Sequence, residues 1–440
     1  MRDIIKIKVV LNQYILFTIL KLTLIAGLLL NLVRCTNPTT PPSNAALQLT
    51  LEDVSCTEAW LQLTTNNIQL PANINLLVNN NVTQTISLNT KDSLLYIENL
   101  LPNQNYKFKV EGHSGLSGIS SNAINTQTMD TTSHNFTWQT FTFGQHSSSA
   151  LYDVAIINEN NIWAVGEIYM NRPDGNPDPD YYNAAHWNGT EWELKRIPSI
   201  ICGSSSKIYS AIYAVYTFSE KSIYFSDGAE VIYFDGLEYR QDCSINSLIT
   251  GKINKLWGSS SNDLYAVGNG GNIAHYKNGS WKKIESGTEL NINDIWGFAD
   301  GSSGFSKYLA AENQIIRIDG KGILTKTMIE QTTFVNSLWS KSDNLIYTAG
   351  DGLTLYKNYS WLKNSNLGLN LIYRVRGEDY NNIAGISANR KIYHFNGNSW
   401  YGIVTEPNNT FLKVEITTNI IACVGWQDDK ALITIFKRNN

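Results

Sequence analysis

The sequence of 440 residues has 4 methionines, 5 cysteines and a formal net charge of only −4. No block of lysine or arginine follows its first segment. A protein that binds nucleic acid presents a basic patch to the phosphates, so this composition argues against nucleic acid as a partner. Helical periodicity is also absent from the long C-terminal part, which excludes a helical bundle there.

A catalytic signature is missing as well. Neither paired acids, nor an arginine triad, nor a serine hydrolase arrangement can be assembled from the sequence. The six histidines show no metal-ligand spacing. His186, His275 and His394 instead recur at one position of a repeat, which marks them as part of that repeat. The first expectation is therefore a protein without catalytic activity.

Aromatic and turn-forming residues are abundant. The chain has 12 tryptophans and 23 tyrosines, together with many Asn, Ser, Thr and Gly residues. Aromatic side chains suit half-buried strands, and the small polar residues suit the turns between them. The length exceeds that of one ordinary domain, so two or three all-β units are expected.

The first segment has the form of an export signal. Basic residues are followed by two mostly apolar runs, Val9 to Leu20 and Leu22 to Val33, which predicts a signal peptide over residues 1–34. The end of this segment, Leu32-Val33-Arg34-Cys35, resembles the lipobox of bacterial lipoproteins, and the resemblance implies a lipid anchor on Cys35. Arg34 stands where that motif has a small residue, so ordinary cleavage nearby and an uncleaved anchor remain alternatives. Residues 35–44 form a polar tether.

Residues 45–128 alternate between apolar and polar positions, as the strands of a β-sandwich do. The segment from Leu100 to the tyrosine at Tyr106 is similar to the tyrosine corner of fibronectin type III domains. This resemblance implies an immunoglobulin-like sandwich that serves as a spacer or as an adhesive module.

The remainder of the chain repeats itself about every 40 residues, the size of a four-stranded propeller blade. Each repeat begins with an apolar strand, and most end in a hairpin with aromatic residues on both sides of a turn such as Asn188-Gly189. The aligned apolar positions are Val154, Val215, Leu256, Ile295, Leu338, Val375 and Val414. This region resembles the seven-bladed β-propellers of exported bacterial proteins, which implies such a propeller over residues 136–440.

The last repeat lacks a fourth strand, whereas an unassigned strand, Phe136 to Thr142, precedes the first repeat. We expect this strand to supply the outer edge of the seventh blade and to close the ring. Trp138 would then be equivalent to the hairpin tryptophans Trp192, Trp281, Trp361 and Trp400.

The best candidate for a ligand site is the insertion of residues 167–182 in the first blade. Tyr169, Tyr181 and Tyr182 can stack on a sugar or on a protein surface. Oxygen-bearing side chains recur at alternate positions of the same loop, at Asp174, Asn176, Asp178 and Asp180, a spacing that can present ligands to Ca²⁺. No other cofactor is expected. The alternative is a solvated, proline-rich loop without a ligand.

Two further sets of residues carry predictions. Trp257, Trp296, Trp339 and Arg376 occupy equivalent positions at the end of the inner strand, where they would form an aromatic channel entrance with Arg376 binding an anion. The alternative is packing between blades. Cys202 and Cys243 bracket one repeat, and a disulfide between them would suit an oxidising compartment.

These observations predict an exported, non-catalytic binding or adhesion protein, either secreted or held at the cell surface or outer membrane by a lipid. Its propeller face would present a site to a glycan or to an envelope protein. Two other functions remain open: a polysaccharide-active hydrolase or lyase, and a scaffold factor for envelope assembly.

Overall fold

The computed structural model of the protein describes residues 44–204, 206–301, 304–364 and 369–439. The predicted signal peptide, Cys35 and the tether up to residue 43 lie outside the described residues. The described parts consist of strands and short 3-10 helices, at Cys243–Ser247, Asn269–Gly271 and Leu369–Leu371. Within these parts, no helix is long and apolar enough to cross a membrane. The prediction of an all-β chain is confirmed.

The first seven strands form two sheets, in the orders β1-β2-β5 and β4-β3-β6-β7. Their bounds are β1 Ala46–Val54, β2 Ala59–Asn66, β3 Ala72–Val78, β4 Asn81–Leu88, β5 Asp92–Ile97, β6 Asn105–His113 and β7 Ile124–Gln127. Burial alternates along these strands, as with Leu47 and Leu49 of β1 and Phe108 and Val110 of β6, because side chains of a strand point to opposite faces.

By its contacts, the chain divides into two compact units. The first contains the described residues up to Glu52, with Leu61–Leu95 and Asn105–Thr126. The second contains Asp53–Trp60, Tyr96–Gln104 and the chain from Gln127 onward. The site and the ring described below belong to the second unit.

From β8 onward, the described residues form seven antiparallel sheets of four strands each, which we number in chain order. Sheet 1 comprises β9 Ala150–Asn158, β10 Asn161–Ile168, β11 Tyr182–Trp187 and β12 Trp192–Lys195; a small hairpin follows, with β13 Ser199–Ile200 and β14 Lys207–Ile208. Sheet 2 comprises β15 Ala214–Ser219, β16 Ser222–Ser226, β17 Val231–Phe234 and β18 Tyr239–Asp242; sheet 3 comprises β19 Ile253–Ser260, β20 Asp263–Gly268, β21 Asn272–Lys277 and β22 Ser280–Glu285. Sheet 4 comprises β23 Asp294–Ala299, β24 Phe305–Ala311, β25 Gln314–Ile318 and β26 Leu324–Met328; sheet 5 comprises β27 Val335–Ser342, β28 Leu345–Gly350, β29 Leu353–Lys357 and β30 Ser360–Lys363. Sheet 6 comprises β31 Ile372–Asp379, β32 Asn382–Ser387, β33 Lys391–Phe395 and β34 Trp400–Val404; sheet 7 comprises β35 Asn409–Ile416, β36 Ile420–Gln427, β37 Lys430–Arg438 and β8 Phe136–Phe143.

The first strands of these sheets contact one another in sequence and form a closed ring. Strand β9 contacts β15, each following inner strand contacts the next, and β35 of sheet 7 contacts β9 again. Apolar residues fill the space between neighbouring sheets, as Leu151, Ile162 and Ile433 do between sheets 1 and 7. The arrangement is propeller-like. Central strands such as β20 and β32 are buried at nearly every position, because both faces of each sheet pack against neighbouring sheets.

Strand β8 lies at the outer edge of sheet 7. It pairs antiparallel with β37, from Phe136 opposite Arg438 to Phe143 opposite Ala431. The first strand of the ring thus hydrogen-bonds with the last, and this pairing joins both ends of the chain segment that forms the ring.

The outer hairpins carry cross-strand aromatic pairs. Trp187 and Trp192 of sheet 1 have ring centroids 5.6 Å apart, and Trp138 of β8 has the same relation to Phe436 at 5.9 Å. The turn between Trp187 and Trp192 needs a glycine, because Gly189 has φ of +97°. Sheet 4 differs, since Ile318 and Leu324 flank its hairpin turn.

Candidate functional site

Charged residues of the inner strands surround the ring axis. We call this set the inner charge ring; its members are Asp153, Lys255, Asp294, Arg374, Arg376, Lys413 and Glu415. Four are basic and three are acidic, and sequence reasoning missed all of them except Arg376. The signal was present, because five of them stand directly before the aligned apolar residue of their repeat.

Asp153 and Lys255 form a buried ion pair. The Lys255 ammonium lies 2.8 Å and 2.9 Å from the two carboxylate oxygens of Asp153. Asp153 also accepts a hydrogen bond of 3.0 Å from the backbone N–H of Val215, in the intervening sheet. One carboxylate thus connects sheets 1, 2 and 3.

Asp294 and Arg376 repeat this arrangement on sheets 4, 5 and 6. The Arg376 guanidinium donates to both carboxylate oxygens of Asp294, at 3.0 Å and 3.2 Å, and Asp294 accepts from the backbone N–H of Leu338 at 3.0 Å. Burial raises the pKa of Asp294, but the charge of Arg376 and two lysines outweighs this effect and brings that pKa to about 2.

This pairing contradicts the expected role of Arg376 as an anion-binding group. Its side chain is buried, its charge is compensated by Asp294, and Nε lies 3.8 Å from Glu415. The guanidinium also lies over the ring of Trp296, 4.9 Å from its centroid. An incoming anion would have to replace a carboxylate that is already in place.

Lys413 and Arg374 have no carboxylate partner among the described residues. Arg374 donates to the backbone carbonyls of Leu412 and Asn336, both at 2.8 Å, and the Lys413 ammonium makes no hydrogen bond or ion pair with any described residue. Burial, with the charge of Arg374 beside it, lowers the pKa of Lys413 to about 7. Burial likewise lowers the pKa of Arg374, to about 10. The ring therefore contains two cations that are uncompensated at short range.

A cavity of about 170 Å³ lies within the ring. Its wall includes Tyr216, Trp257, Trp296, Lys255, Arg376 and Glu415. This volume is below the roughly 300–1,000 Å³ of typical small-molecule pockets. Three of the four residues predicted to line a channel entrance thus line one cavity, whereas Trp339 does not.

The inner-strand aromatics connect neighbouring sheets. Trp339 is buried against Gly377 of sheet 6, where a Cβ would come within 2.6 Å of the indole. The indole N–H of Trp296 donates to the carbonyl of Ser340 in sheet 5 at 2.8 Å. These contacts correspond to the alternative interpretation of the sequence, packing between blades.

The predicted insertion contributes to a cluster of tyrosines around one carboxylate. We define the tyrosine cluster as Tyr152, Tyr169, Tyr181 and Tyr213 with Glu167. The phenol of Tyr169 donates to Glu167 at 3.0 Å, and that of Tyr152 donates to the other oxygen of Glu167. Ring centroids are 5.1 Å apart for Tyr152 and Tyr213, and also for Tyr169 and Tyr181.

A cation covers one side of the tyrosine cluster. The Lys252 ammonium lies 3.5 Å from the ring centroid of Tyr213. Burial lowers the pKa of Lys252, whereas burial and the bond to Glu167 raise the pKa of Tyr169 to about 12. The phenol therefore stays a hydrogen-bond donor at neutral pH. All four rings are half-buried, so part of their surface is accessible.

Tyr182 lies outside this cluster. The Arg196 guanidinium stacks on its ring at 4.2 Å. The predicted site residues of the insertion are therefore divided: Tyr169 and Tyr181 lie together, and Tyr182 supports Arg196. Tyr152 and Tyr213, which sequence reasoning missed, come from the inner strand of sheet 1 and the segment before sheet 2. Their position two residues before Val154 and Val215 was a usable signal.

The structure does not bring the predicted calcium ligands together. Asp178 forms an ion pair with Arg196 at 2.6 Å, which holds the pKa of Asp178 below its usual range. Asp174 accepts from the backbone N–H of Asn176, and Asp178 from that of Asp180, so these carboxylates stabilise local turns. In the described parts of the chain, no three His, Cys, Asp or Glu residues form a metal-binding group.

Cys202 and Cys243 form a disulfide with Cα atoms 5.8 Å apart. It connects the segment before sheet 2 with the end of the outer strand β18. Cys56 and Cys423 are free and buried. Burial raises the pKa of both thiols, which favours the unreactive protonated form.

The recurring histidines support the sheets. Each lies on the third strand and contacts the residue that begins the second, as His186 does with Asn161 at 3.0 Å and His275 with Asp263 at 2.6 Å. His394 has the same relation to Asn382 at 3.0 Å, and burial lowers its pKa to about 2. This repeated side-chain bond agrees with their place in the sequence repeat.

Comparisons with known proteins give no family. No family model matches the sequence, and no curated protein matches it. Among solved structures, that of U3-55K has a TM-score of 0.48 and 9% identity, covering 68% of this chain and 98% of that one. The extracellular domain assigned to the hybrid two component system BT4673 from B. thetaiotaomicron has a TM-score of 0.35 and 10% identity, covering 66% of this chain and 46% of that one.

Proposed function

We propose that this protein is an exported, cell-surface binding protein whose propeller presents the tyrosine cluster to a glycan or to an envelope protein. The observation that carries this proposal is the cluster itself. Half-buried rings, two phenol donors fixed on Glu167 and the ammonium of Lys252 combine stacking surfaces with polar groups of both signs.

The fold supports a device for presentation. Seven four-stranded sheets in a closed ring suit a seven-bladed β-propeller, and the strand orders β1-β2-β5 and β4-β3-β6-β7 suit a fibronectin type III domain before it. The disulfide of Cys202 and Cys243 suits an oxidising compartment outside the cytoplasm. A lipid on Cys35, followed by the tether, would hold both domains near a membrane.

A glycan is the ligand we favour for the tyrosine cluster. Sugar rings have an apolar C–H face that packs on aromatic rings, and hydroxyl groups that pair with carboxylates and ammonium groups. The cluster offers both within one surface. An envelope protein remains the other outcome of the experiment below.

The test is affinity electrophoresis of residues 36–440 in gels that contain different polysaccharides, with and without Ca²⁺. We expect one polymer to retard the protein, and we expect Tyr181→Ala to abolish most of that retardation. Tyr359→Ala is the matched control, because Tyr359 is an exposed tyrosine of the turn between β29 and β30.

Unchanged mobility in every gel would contradict glycan binding and direct the search to a protein ligand. Retardation that survives Tyr181→Ala would place the ligand away from the tyrosine cluster. A requirement for Ca²⁺ would support the acidic residues of the insertion as calcium ligands. Asp178 would then have to exchange its ion pair with Arg196 for a bond to the metal.

A further inference from the structure

A groove of about 470 Å³ opens between sheets 1 and 7, where the ring closes. Four aromatic residues line it: the exposed Trp138 of β8, together with Phe141 from β8, Trp187 from β11 and Trp192 from β12. The ring centroid of Phe141 lies 6.2 Å from that of Trp187 and 5.8 Å from that of Trp192. The side chains of Phe141, Trp187 and Trp192 are half-buried. We call this the closure groove. Its volume is within the roughly 300–1,000 Å³ range of ligand pockets.

Polar groups without partners lie along the closure groove. Gln139 of β8 and Asn160 of the turn before β10 both line it and are exposed. Neither side-chain amide makes a hydrogen bond with any residue that the structure describes. An amide provides two donors and one acceptor oxygen, so both remain available to a ligand.

The closure groove carries no excess charge. Glu159 and Lys437 are the two charged residues in its wall, and their side chains form an ion pair at 3.1 Å. Asn419 donates to the same carboxylate at 3.0 Å, which fixes Glu159 further. An anionic or cationic ligand would therefore find its counter-charge already occupied, whereas a neutral polar ligand would not.

Aromatic surface, free amides and compensated charge together match one ligand chemistry. A neutral sugar presents a C–H face to aromatic rings and hydroxyl groups to amides, and it needs no counter-ion. We propose that the closure groove binds a neutral polysaccharide, with a pyranose ring packed against Trp187 and hydroxyl groups bonded to Gln139 and Asn160. This site shares no residue with the tyrosine cluster and stands independently of it.

The test uses affinity electrophoresis of residues 36–440 in gels containing laminarin, mixed-linkage β-glucan or α-mannan, with alginate and heparin as charged polymers. We expect retardation by at least one neutral polymer. Gln139→Ala should weaken the apparent affinity by about 2- to 10-fold, since it removes one hydrogen-bonding side chain. Loss of a stacking ring in Trp187→Ala should weaken it by about 10-fold or more.

Trp187 also packs on Trp192, so Trp187→Ala can lower stability. Its matched control is Tyr356→Ala, which removes the corresponding aromatic of the pair with Trp361 in sheet 5, away from the closure groove. Gln139→Ala keeps the test decisive even where Trp187→Ala does not fold, because the Gln139 amide has no partner to lose.

Retardation by a neutral polymer that falls in Gln139→Ala but persists in Tyr181→Ala supports the closure groove. Absence of retardation by all three neutral polymers overturns the proposal, as does binding of the charged polymers alone. Binding that is lost in Tyr181→Ala and unchanged in Gln139→Ala also overturns it, and assigns the polymer to the tyrosine cluster instead.

Discussion

Removing the negative charge of Asp294 should destabilise the ring strongly. In Asp294→Asn the amide has nearly the shape of the carboxyl group but removes the charged partner closest to the buried Arg376, leaving only Glu415 at 3.8 Å. A guanidinium is too basic to lose its proton in a protein, so Arg376 stays charged in the variant. Its charge would therefore remain buried without the carboxylate that accepts its hydrogen bonds.

Two routes give the size of this effect. Removing one partner of a buried ion pair typically lowers the free energy of unfolding by about 3–5 kcal/mol. A carboxyl with a pKa of about 2 in the folded protein, against about 3.9 unfolded, contributes roughly 2–3 kcal/mol at neutral pH. We expect Asp294→Asn to lose about 3 kcal/mol, which lowers the melting midpoint by about 6–12 °C.

The assay is thermal unfolding followed by near-ultraviolet circular dichroism between pH 2 and pH 7. The pKa of Asp294 is lowered by folding, so its contribution is complete above pH 4 and is lost as the pH falls toward 2. The difference between the wild type and Asp294→Asn should therefore be full at pH 7 and vanish near pH 2.

A second variant separates lost charge from lost shape. Asp294→Asn combined with Arg376→Met removes both partners, and it should be more stable than Asp294→Asn alone by at least about 1 kcal/mol. Glu193→Gln, which removes an exposed partner of Lys195, should leave the melting midpoint nearly unchanged. Equal melting midpoints for Asp294→Asn and the wild type at pH 7 would refute the reasoning, and so would a double variant that melts below the single one.

Three further predictions concern packing, pH and the disulfide. Gly377→Val should lower the free energy of unfolding by about 1–3 kcal/mol, because its side chain collides with the indole of Trp339; denaturant unfolding measures this, and an unchanged midpoint would contradict the contact. Lys413→Met should stabilise the protein by about 1–3 kcal/mol at pH 6. Folding lowers the pKa of Lys413 to about 7, so wild-type stability should rise between about pH 7 and pH 10, and a pH series of melts should show no such rise in the variant. Replacing Cys202 and Cys243 by serine, which frees a loop with a sequence separation of 41, should cost about 2–4 kcal/mol; calorimetry with and without reductant checks it, since reductant should affect only the wild type.

The sequence reveals the repeats because their signals are local. Alternating apolar residues, a glycine at a hairpin turn and paired aromatics are all properties of neighbouring residues, and the structure confirms an all-β chain with repeated four-stranded sheets. The orphan strand around Trp138 was informative for a different reason. A repeat without its fourth strand leaves an edge unpaired, and only one unassigned strand was available to cover it.

The contacts around the candidate sites could not be obtained in the same way. Glu167 gathers tyrosines that lie 15 residues before it and 2 residues after it, so spacing alone gives no pairing. Asp178 stands at a ligand-like spacing but pairs with Arg196, from the strand end beyond the insertion. The acidic residues do recur at alternate positions, but the partner of each carboxylate depends on which strands lie side by side.

One arrangement of an aspartate with its partners occurs twice in the inner charge ring. Asp153 bonds to sheet 2 and pairs with Lys255 of sheet 3, and Asp294 bonds to sheet 5 and pairs with Arg376 of sheet 6. Each aspartate therefore connects three consecutive sheets through its hydrogen bond and its ion pair, and the two aspartates together connect six sheets. A ring of seven leaves one sheet over, and its inner strand carries Lys413, the ammonium that has no partner among the described residues. Burial of this ammonium, with the charge of Arg374 beside it, lowers the pKa of Lys413 to about 7.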